Sequence, residues 1–270
     1  MVPRFLKALS RRRTRAEARP ATPAGVALFA IGDIHGRIDL LEPLLDVIGD
    51  EAAERTRTIV VGLGDYVDRG QDSRAVVDRL LDLAARPGIE TCFLRGNHDQ
   101  ILLDFLADPS LGPYWRQVGG GETLFSYGVE PPATRKHMEE WGAAREAFAA
   151  NMPERHLTFF QDLRFSFTWG DYFFAHAGAQ PGTPLEEQSQ LDLMWIRQPF
   201  LDDERRFDRI VVHGHTPAEE VHADDRRIGL DTGAYMTGVL TACRFEGEER
   251  RVIQAVESAH GAPDIRTRAL

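Results

Sequence analysis

Two cysteines in 270 residues are too few for a disulfide framework. Both sit in strand-like runs, Cys92 in Thr91-Cys92-Phe93-Leu94 and Cys243 in Val239-Leu240-Thr241-Ala242-Cys243. That placement suggests buried, reduced thiols, and neither cysteine lies in a metal-ligand spacing. Long apolar runs are missing too: no stretch approaches the ~18 residues of a membrane span. No internal repeat is visible. Positive charge is scarce in the body of the chain. The formal net charge is −10, yet residues 1–25 carry seven Lys/Arg against one Glu, a balance of +6, which leaves −16 on the remaining 245. An acidic body argues against a nucleic-acid duplex as the main partner, because such binding leans on neutralising phosphates. The apolar residues of the basic N-terminus (Phe5, Leu6, Ala8, Leu9) are too few and too interrupted for a signal peptide. A soluble, cytoplasmic protein is the expectation.

What is present is globular in character. Apolar content of 43% and charged content of 27% allow a substantial core, and α/β folds of this size are routine as single units. Residues 1–25, with Arg11-Arg12-Arg13, Pro20 and Pro23, read as a disordered basic tail. A weak anchor on anionic lipid or an acidic partner is the functional alternative. One domain is expected over residues 26–258, followed by a C-terminal tail over 259–270.

From Val26 the pattern alternates. An apolar run to Ile31 precedes a helical stretch from Asp39 to Ile48, with Leu40, Leu41, Leu44, Leu45 and Ile48 at helical spacing. A run from Thr58 to Leu63 precedes a helix around Ser73 to Ala85, and Thr91 to Leu94 precedes one from His98 to Leu106. Strand, loop and helix repeated three times predict parallel strands with covering helices. Residues 108–161 are less regular, with helices predicted at Glu122–Tyr127 and Arg135–Ala150. This segment reads either as a cap or as a covering helical layer. Strand-like runs return at Leu163–Trp169, Tyr172–Ala175, Arg209–Val212, Arg227–Leu230 and Gly238–Phe245, suggesting a second sheet. The fold class expected is α/β, with two packed mixed β-sheets flanked by helices.

Five short polar segments each end an apolar run: Gly32-Asp33-Ile34-His35-Gly36, Gly64-Asp65-Tyr66-Val67-Asp68-Arg69-Gly70, Arg95-Gly96-Asn97-His98-Asp99, His176-Ala177-Gly178 and His213-Gly214-His215-Thr216. They hold five of the nine histidines. In parallel sheets, functional groups gather beyond the carboxyl ends of the strands, where the first three segments fall. Neutral imidazole nitrogen and carboxylate oxygen are the ligands a pair of divalent cations needs. Each segment alone has a bland reading. Gly-Asp after a strand often caps a turn, His98-Asp99 could be an N-cap environment, and His176 could be a satisfied core histidine. Taken jointly, five coincidences point to a binuclear metal site. His137, His156, His222 and His260 lack such company and read as surface residues. Trp115, Trp141 and Trp169 read as packing. His213 and His215, two apart along a strand, could point the same way, so spacing alone does not choose between them.

With these motifs, the chain resembles the calcineurin-like metallophosphoesterases, and within them the bacterial and phage-type phosphoprotein (Ser/Thr) phosphatase branch, over roughly Ala27 to Thr237. The resemblance assigns Asp33, His35 and Asp65 to one metal. Asp65 would bridge to a second, completed by Asn97, His176 and His215, the family pattern favouring His215 over His213. Two cations at ~3.5–4 Å would share a water, acidified to the hydroxide that attacks phosphorus in line. The resemblance gives His98 to leaving-group protonation with Asp68 orienting it, and matches Arg69 and Arg197 to phosphate-binding arginines. Arg95 could assist, and Tyr235, in Asp231-Thr232-Gly233-Ala234-Tyr235, belongs to a loop that approaches the site in relatives. Pro217 replaces the last histidine of the Gly-His-x-His found in many superfamily members, which favours the phosphatase branch.

The expected cofactors are two divalent ions, Mn²⁺ or a mixed Fe/Zn pair. The expected reaction is hydrolysis of a phosphomonoester, above all phosphoserine or phosphothreonine in a protein. The same chemistry on a dinucleoside polyphosphate such as diadenosine tetraphosphate is the alternative. A non-catalytic metal-bound scaffold fits less well, because it needs neither the His98–Asp68 pair nor the arginines.

Overall fold

Apolar runs that are buried on both faces become the inner strands of a covered parallel sheet. In the computed structural model, which describes residues 19–134, 137–259 and 261–270, this holds for β1 (Ala27–Ile31) and β2 (Thr58–Gly62), buried at every residue. They pair in parallel with each other, and β2 pairs in parallel with β3 (Ile89–Phe93). The crossovers are α1 (Ile38–Ala53) and α2 (Ser73–Ala84). On α1 the predicted stripe Leu40, Leu41, Leu44, Leu45 and Ile48 is buried, and of the stripe Val76, Val77, Leu80 and Leu81 predicted on α2 the first three are buried and Leu81 is half-buried. After β3 the chain enters α3 (Asn97–Ala107).

The second sheet is built from β4 (Ser166–Trp169), β5 (Tyr172–Ala175), β6 (Ile210–His213), β7 (His222–Ala223) and β8 (Arg227–Gly229), in the order β4-β5-β6-β8-β7. Three strands then return to the first sheet: β9 (Val239–Glu246), β10 (Glu249–Val256) and β11 (Asp264–Ala269). The first sheet therefore runs β11-β10-β9-β1-β2-β3, with β9 antiparallel to β1. Alternation along β1 sends Phe29 and Ile31 into the helical layer and Leu28 and Ala30 into the layer between the sheets. Between the sheets Leu28 and Val61 meet Phe174, Val212, Cys243 and Phe245. Leu193, Ile196 and Phe200 cover the outer face of the second sheet. The expected α/β sandwich of two mixed sheets flanked by helices is the observed one, and both cysteines are free and buried. Among the described residues no helix is long and apolar enough to cross a membrane.

The irregular middle proves to be a covering layer. It comprises α4 (Gly112–Gln117), α5 (Gly120–Ser126), α6 (Met138–Asn151) and α7 (Glu154–Asp162). Phe105 of α3 packs on Trp115, Trp141 and Phe148, which fixes α4 and α6 against α3. The expected start of α6 at Arg135 lies outside the described residues, as do Lys136, His260 and residues 1–18.

Three expectations need correcting. The predicted C-terminal tail contains β11, whose six residues pair with β10. All six are exposed, so no apolar alternation marked the strand. At the other end, residues 20–22 belong to the body: Thr22 N–H donates to the Gly247 carbonyl (2.9 Å) and Tyr172 Oη to the Pro20 carbonyl (3.0 Å). His156, expected at the surface, is fully buried. Its Nδ1 meets Tyr127 Oη at 2.8 Å and its Nε2 meets Asp78 Oδ1 at 2.9 Å, joining α7 to α5 and α2. Burial lowers its pKa against the pull of Asp78, so the ring is neutral, Nε2–H donating to Asp78 and Nδ1 accepting from Tyr127.

Tyr127→Phe leaves a buried imidazole nitrogen without its donor. It is expected to lower unfolding free energy by about 1–3 kcal/mol in urea titrations. A loss below about 0.3 kcal/mol would show that the bridge contributes little.

Candidate active site

Five non-glycine residues have left-handed backbone among the described residues: His35, Asp65, Asp68, Arg69 and His215, with φ between 46° and 73°. All five belong to the polar segments, which meet beyond the carboxyl ends of β1, β2, β3, β5 and β6. Such conformations are unfavourable for residues with a Cβ and persist only when the surroundings over-determine them. Here the segments tie one another down. Ile34 N–H and His35 N–H both donate to the Asp65 carbonyl (3.2 and 2.9 Å), and Gly70 N–H donates to the His35 carbonyl (3.0 Å). The buried Asp99 carboxylate accepts N–H bonds from Gly96, Asp65 and Tyr66 at 2.9–3.1 Å, stapling the second segment to the third. Burial and the Asp65 charge nonetheless push its pKa up to about 7. Two close approaches need glycine: a Cβ at Gly96 would lie 2.1 Å from Asp65 Oδ1, and one at Gly214 2.0 Å from Asp33 Oδ1.

The imidazole tautomers follow from their backbone partners. His35 Nδ1 lies 2.8 Å from the Val67 carbonyl and His176 Nδ1 2.9 Å from the Leu63 carbonyl, so both nitrogens donate. The Nε2 lone pairs then face inward, each 3.5 Å from Asp65 Oδ2. Asn97 Oδ1 sits 3.0 Å from His176 Nε2 and 2.8 Å from His215 Nδ1, and those two nitrogens are 3.2 Å apart. His215 Nε2 has no partner among the described residues, so its Nδ1 is free to donate to Asn97, but the Nε2 acceptors of His35 and His176 facing Asp65 repel it unless a cation lies among them. Burial is the main cause of lowered pKa values at His35 (about 3), His215 (about 2) and His176, so all three are neutral. Asp33 is raised well above the carboxylate range by burial and then by the charges of Asp231 and Asp65; burial first and then Asp65 push Asp231 up to about 6. Crowded carboxylates beside neutral imidazoles make a donor set that fits divalent cations. Potential ligand atoms of His35, Asp65 and His98 lie within 4.8 Å of one another, as do those of Asp65, His176 and His215, and Asp65 is shared. Asp33 joins from the side, both its oxygens accepting the His215 N–H at 3.1 Å.

His98 differs from the other imidazoles. Its Nδ1 is 2.7 Å from Asp68 Oδ2 and its Nε2 is 4.0 Å from Asp65, farther than those of His35 and His176. Burial works to lower its pKa, but the Asp65 charge and the Asp68 hydrogen bond outweigh it and raise the imidazolium. Asp68 also accepts the Trp115 indole N–H (2.9 and 3.0 Å) and the Thr123 hydroxyl (2.7 Å). Neither contact was visible in the sequence, where Trp115 read as packing. The one available signal is that a buried indole N–H needs an acceptor.

Arg69 Nη2 is 3.0 Å from His98 Nε2, and its guanidinium lies 4.4 Å over the Tyr235 ring, which stands edge-on to His35 at 5.3 Å. Arg197 is exposed, 3.4 Å from the Thr216 hydroxyl beside His215. Arg95 turns away from the expected role. Its guanidinium donates to Gln100 Oε1 and to the Phe160 and Gln161 carbonyls (2.8–3.0 Å), closing the end of α7. His213 also faces elsewhere, with Nδ1 3.0 Å from the Gly214 carbonyl, Nε2 3.1 Å from Arg227 and its ring against Phe200. The strand ends at His213, so alternation does not extend to His215.

A model of the calcineurin-like phosphoesterase family matches residues 27–237. Among curated proteins, the chain is 28% identical over 245 residues to a symmetrical bis(5'-nucleosyl)-tetraphosphatase of an Acidovorax species, covering 88% of this chain and 73% of that one. It is 23% identical over 237 residues to an asymmetrical bis(5'-nucleosyl)-tetraphosphatase of Anoxybacillus flavithermus, covering 80% and 89%. Similarity to the catalytic subunit of serine/threonine-protein phosphatase 6 of Drosophila melanogaster is 38% over 77 residues, 28% of this chain and 24% of that one. A crystal structure assigned provisionally as a diadenosine tetraphosphatase superposes with a TM-score of 0.57 at 21% identity, covering 92% of this chain and 98% of that one.

Asp65→Asn and His176→Ala are each expected to lower bound transition metal in elemental analysis of metal-saturated protein, whereas His98→Ala keeps it nearly intact. Metal affinity is expected to weaken as pH falls through about 6, because buried Asp231 then gains a proton and the site loses a negative charge beside Asp33. Metal titrations at pH 5 should show weaker binding than those at pH 8; equal affinity at both would contradict this electrostatic part for Asp231.

Proposed function

We propose that this chain, which belongs to the calcineurin-like phosphoesterase family, hydrolyses a dinucleoside polyphosphate at its shared-carboxylate centre. The reaction class is supported by the two ligand groups meeting at Asp65 beside the His98–Asp68 pair. The substrate class is supported by the length of agreement. The two bis(5'-nucleosyl)-tetraphosphatases align with most of both chains, and the protein phosphatase only with about a quarter.

Asp33, His35 and Asp65 would hold one cation; Asp65, Asn97, His176 and His215 the other. Two divalent ions, Mn²⁺ or an Fe/Zn pair, would neutralise phosphoryl charge and acidify a water for in-line attack. Arg69 and Arg197 grip the phosphoryl oxygens, for which a guanidinium fork is suited. The Tyr235 ring backs Arg69 and sets its direction. Asp68 holds His98 Nδ1, and His98 Nε2 carries the proton to the departing oxygen. The contact between Arg69 Nη2 and Nε2 requires a lone pair on that nitrogen, so a protonated His98 releases Arg69 to the phosphoryl group.

One observation favours a second reading, phosphoserine or phosphothreonine in a protein. A general acid helps a basic alkoxide leaving group far more than a phosphate leaving group, and this chain has both members of the acid pair in hydrogen-bond contact.

The discriminating assay compares kcat/KM for diadenosine tetraphosphate with a phosphopeptide panel, using metal-loaded protein. Faster turnover of the dinucleotide is expected; faster turnover of phosphopeptides would reverse the order. Chromatography of the products separates a symmetrical cut, two diphosphates, from an asymmetrical one. His98→Ala is expected to lower alkyl phosphomonoester turnover by ~10²–10⁴, and undiminished turnover would remove its acid role.

A further inference from the structure

We propose that Trp115 and Thr123 are positioning residues for the leaving-group acid, fixing the carboxylate against which His98 is held. The inference rests on the acid role given to His98 above and deepens it.

Asp68 is fully buried, and its carboxylate has no guanidinium or ammonium partner among the described residues. A carboxylate on a single imidazole is free to turn about its side-chain torsion, and the imidazole turns with it. Here both oxygens are held. The Trp115 indole N–H is shared between Oδ1 and Oδ2, and the Thr123 hydroxyl donates to Oδ1, which leaves Oδ2 directed at His98 Nδ1. The direction of the Thr123 hydroxyl is itself determined. A carboxylate oxygen only accepts, so at 2.7 Å the Thr123 proton points to Oδ1, while the Thr123 oxygen accepts the Asp68 N–H at 2.9 Å. Both side chains are themselves fully buried, Trp115 being wedged against Phe105 and Phe148. Outer partners held in this way keep catalytic groups within the small tolerance that chemistry needs.

The same segment also carries Arg69. Arg69 N–H donates to the Gly119 carbonyl (3.0 Å), and Gly119 itself is left-handed at φ 112°. A Cβ there would lie 2.6 Å from the Arg69 nitrogen. Trp115 of α4, Gly119 in the turn after it and Thr123 of α5, four residues apart, thus brace the acid and one phosphate-binding arginine from a segment that contributes no proposed metal ligand.

The test uses metal-loaded protein and two esters with leaving groups of different basicity, 4-nitrophenyl phosphate and β-glycerophosphate. Thr123→Val keeps the bulk but removes the hydroxyl that both donates to Oδ1 and accepts the Asp68 N–H, and Trp115→Phe removes the indole donor with part of its bulk. Each is expected to lower kcat for the alkyl ester about tenfold or more and for the aryl ester less than about threefold. Thr123→Ser should restore the alkyl rate, and Trp115→Phe placed in His98→Ala should add no further loss. Equal losses on both esters, or additive losses in His98→Ala, would overturn the proposal. If His98→Ala alone fails to discriminate between the esters, the acid reading falls and this inference falls with it. Discrimination in His98→Ala without discrimination in the two donor variants sinks the brace alone.

Discussion

The site depends on one buried carboxylate. Asp65 sits at the end of β2 in a left-handed turn, where its carbonyl receives two N–H bonds from the first segment and its own N–H is held by Asp99. Its side chain lies between two groups of inward lone pairs, from His35 on one side and His176 on the other. Without a positive charge, that arrangement places acceptors against acceptors and carboxylates near carboxylates. The backbone network holding Asp65 is what keeps so unfavourable a cluster assembled, and it is also what makes the cluster receptive to cations.

Around that centre, burial acts in opposite directions on groups of similar chemistry. His35, His176 and His215 are buried without a dedicated carboxylate hydrogen bond, and their pKa values fall. His98 is buried too, but Asp65 and Asp68 face it and its pKa rises. Ligands must be neutral to bind metal, and an acid must hold a proton near neutrality. Of these four rings only His98 has a hydrogen-bonded carboxylate, and only its pKa is raised. The covering helices take part in this division of roles, since Trp115 and Thr123 reach Asp68 from a layer that otherwise packs aromatic rings.

Outside the candidate metal ligands, two arginines stand beside the cluster. Arg69 contacts His98 and lies over the Tyr235 ring, and Arg197 is exposed beside Thr216. A phosphomonoester with an alkoxide leaving group leans harder on a general acid than a phosphoanhydride does. The tetraphosphatase relatives and the acid pair therefore pull toward different substrates, and relative rates on the two classes decide between them.

Periodicity alone was enough to find β1, β2 and the crossover helices, because strands covered on both faces are apolar throughout and surface helices show a stripe; edge strand β3, partly exposed, was found only from Thr91 on. The metal-ligating candidates Asp33, His35, Asp65, Asn97, His176 and His215 were legible as well, since glycine-flanked polar residues at strand ends are conspicuous in sequence. Edge strand β11, wet on both faces, leaves no such trace, and a histidine buried between Tyr127 and Asp78 looks like any surface histidine. Tertiary structure alone decided that Arg95 closes a helix end, that His213 turns toward Arg227 and that Trp115 reaches Asp68. The physical reason is that sequence pattern records which side chains avoid water. The direction of a single hydrogen bond, or of a carboxylate about its own torsion, is set by neighbours from distant parts of the chain.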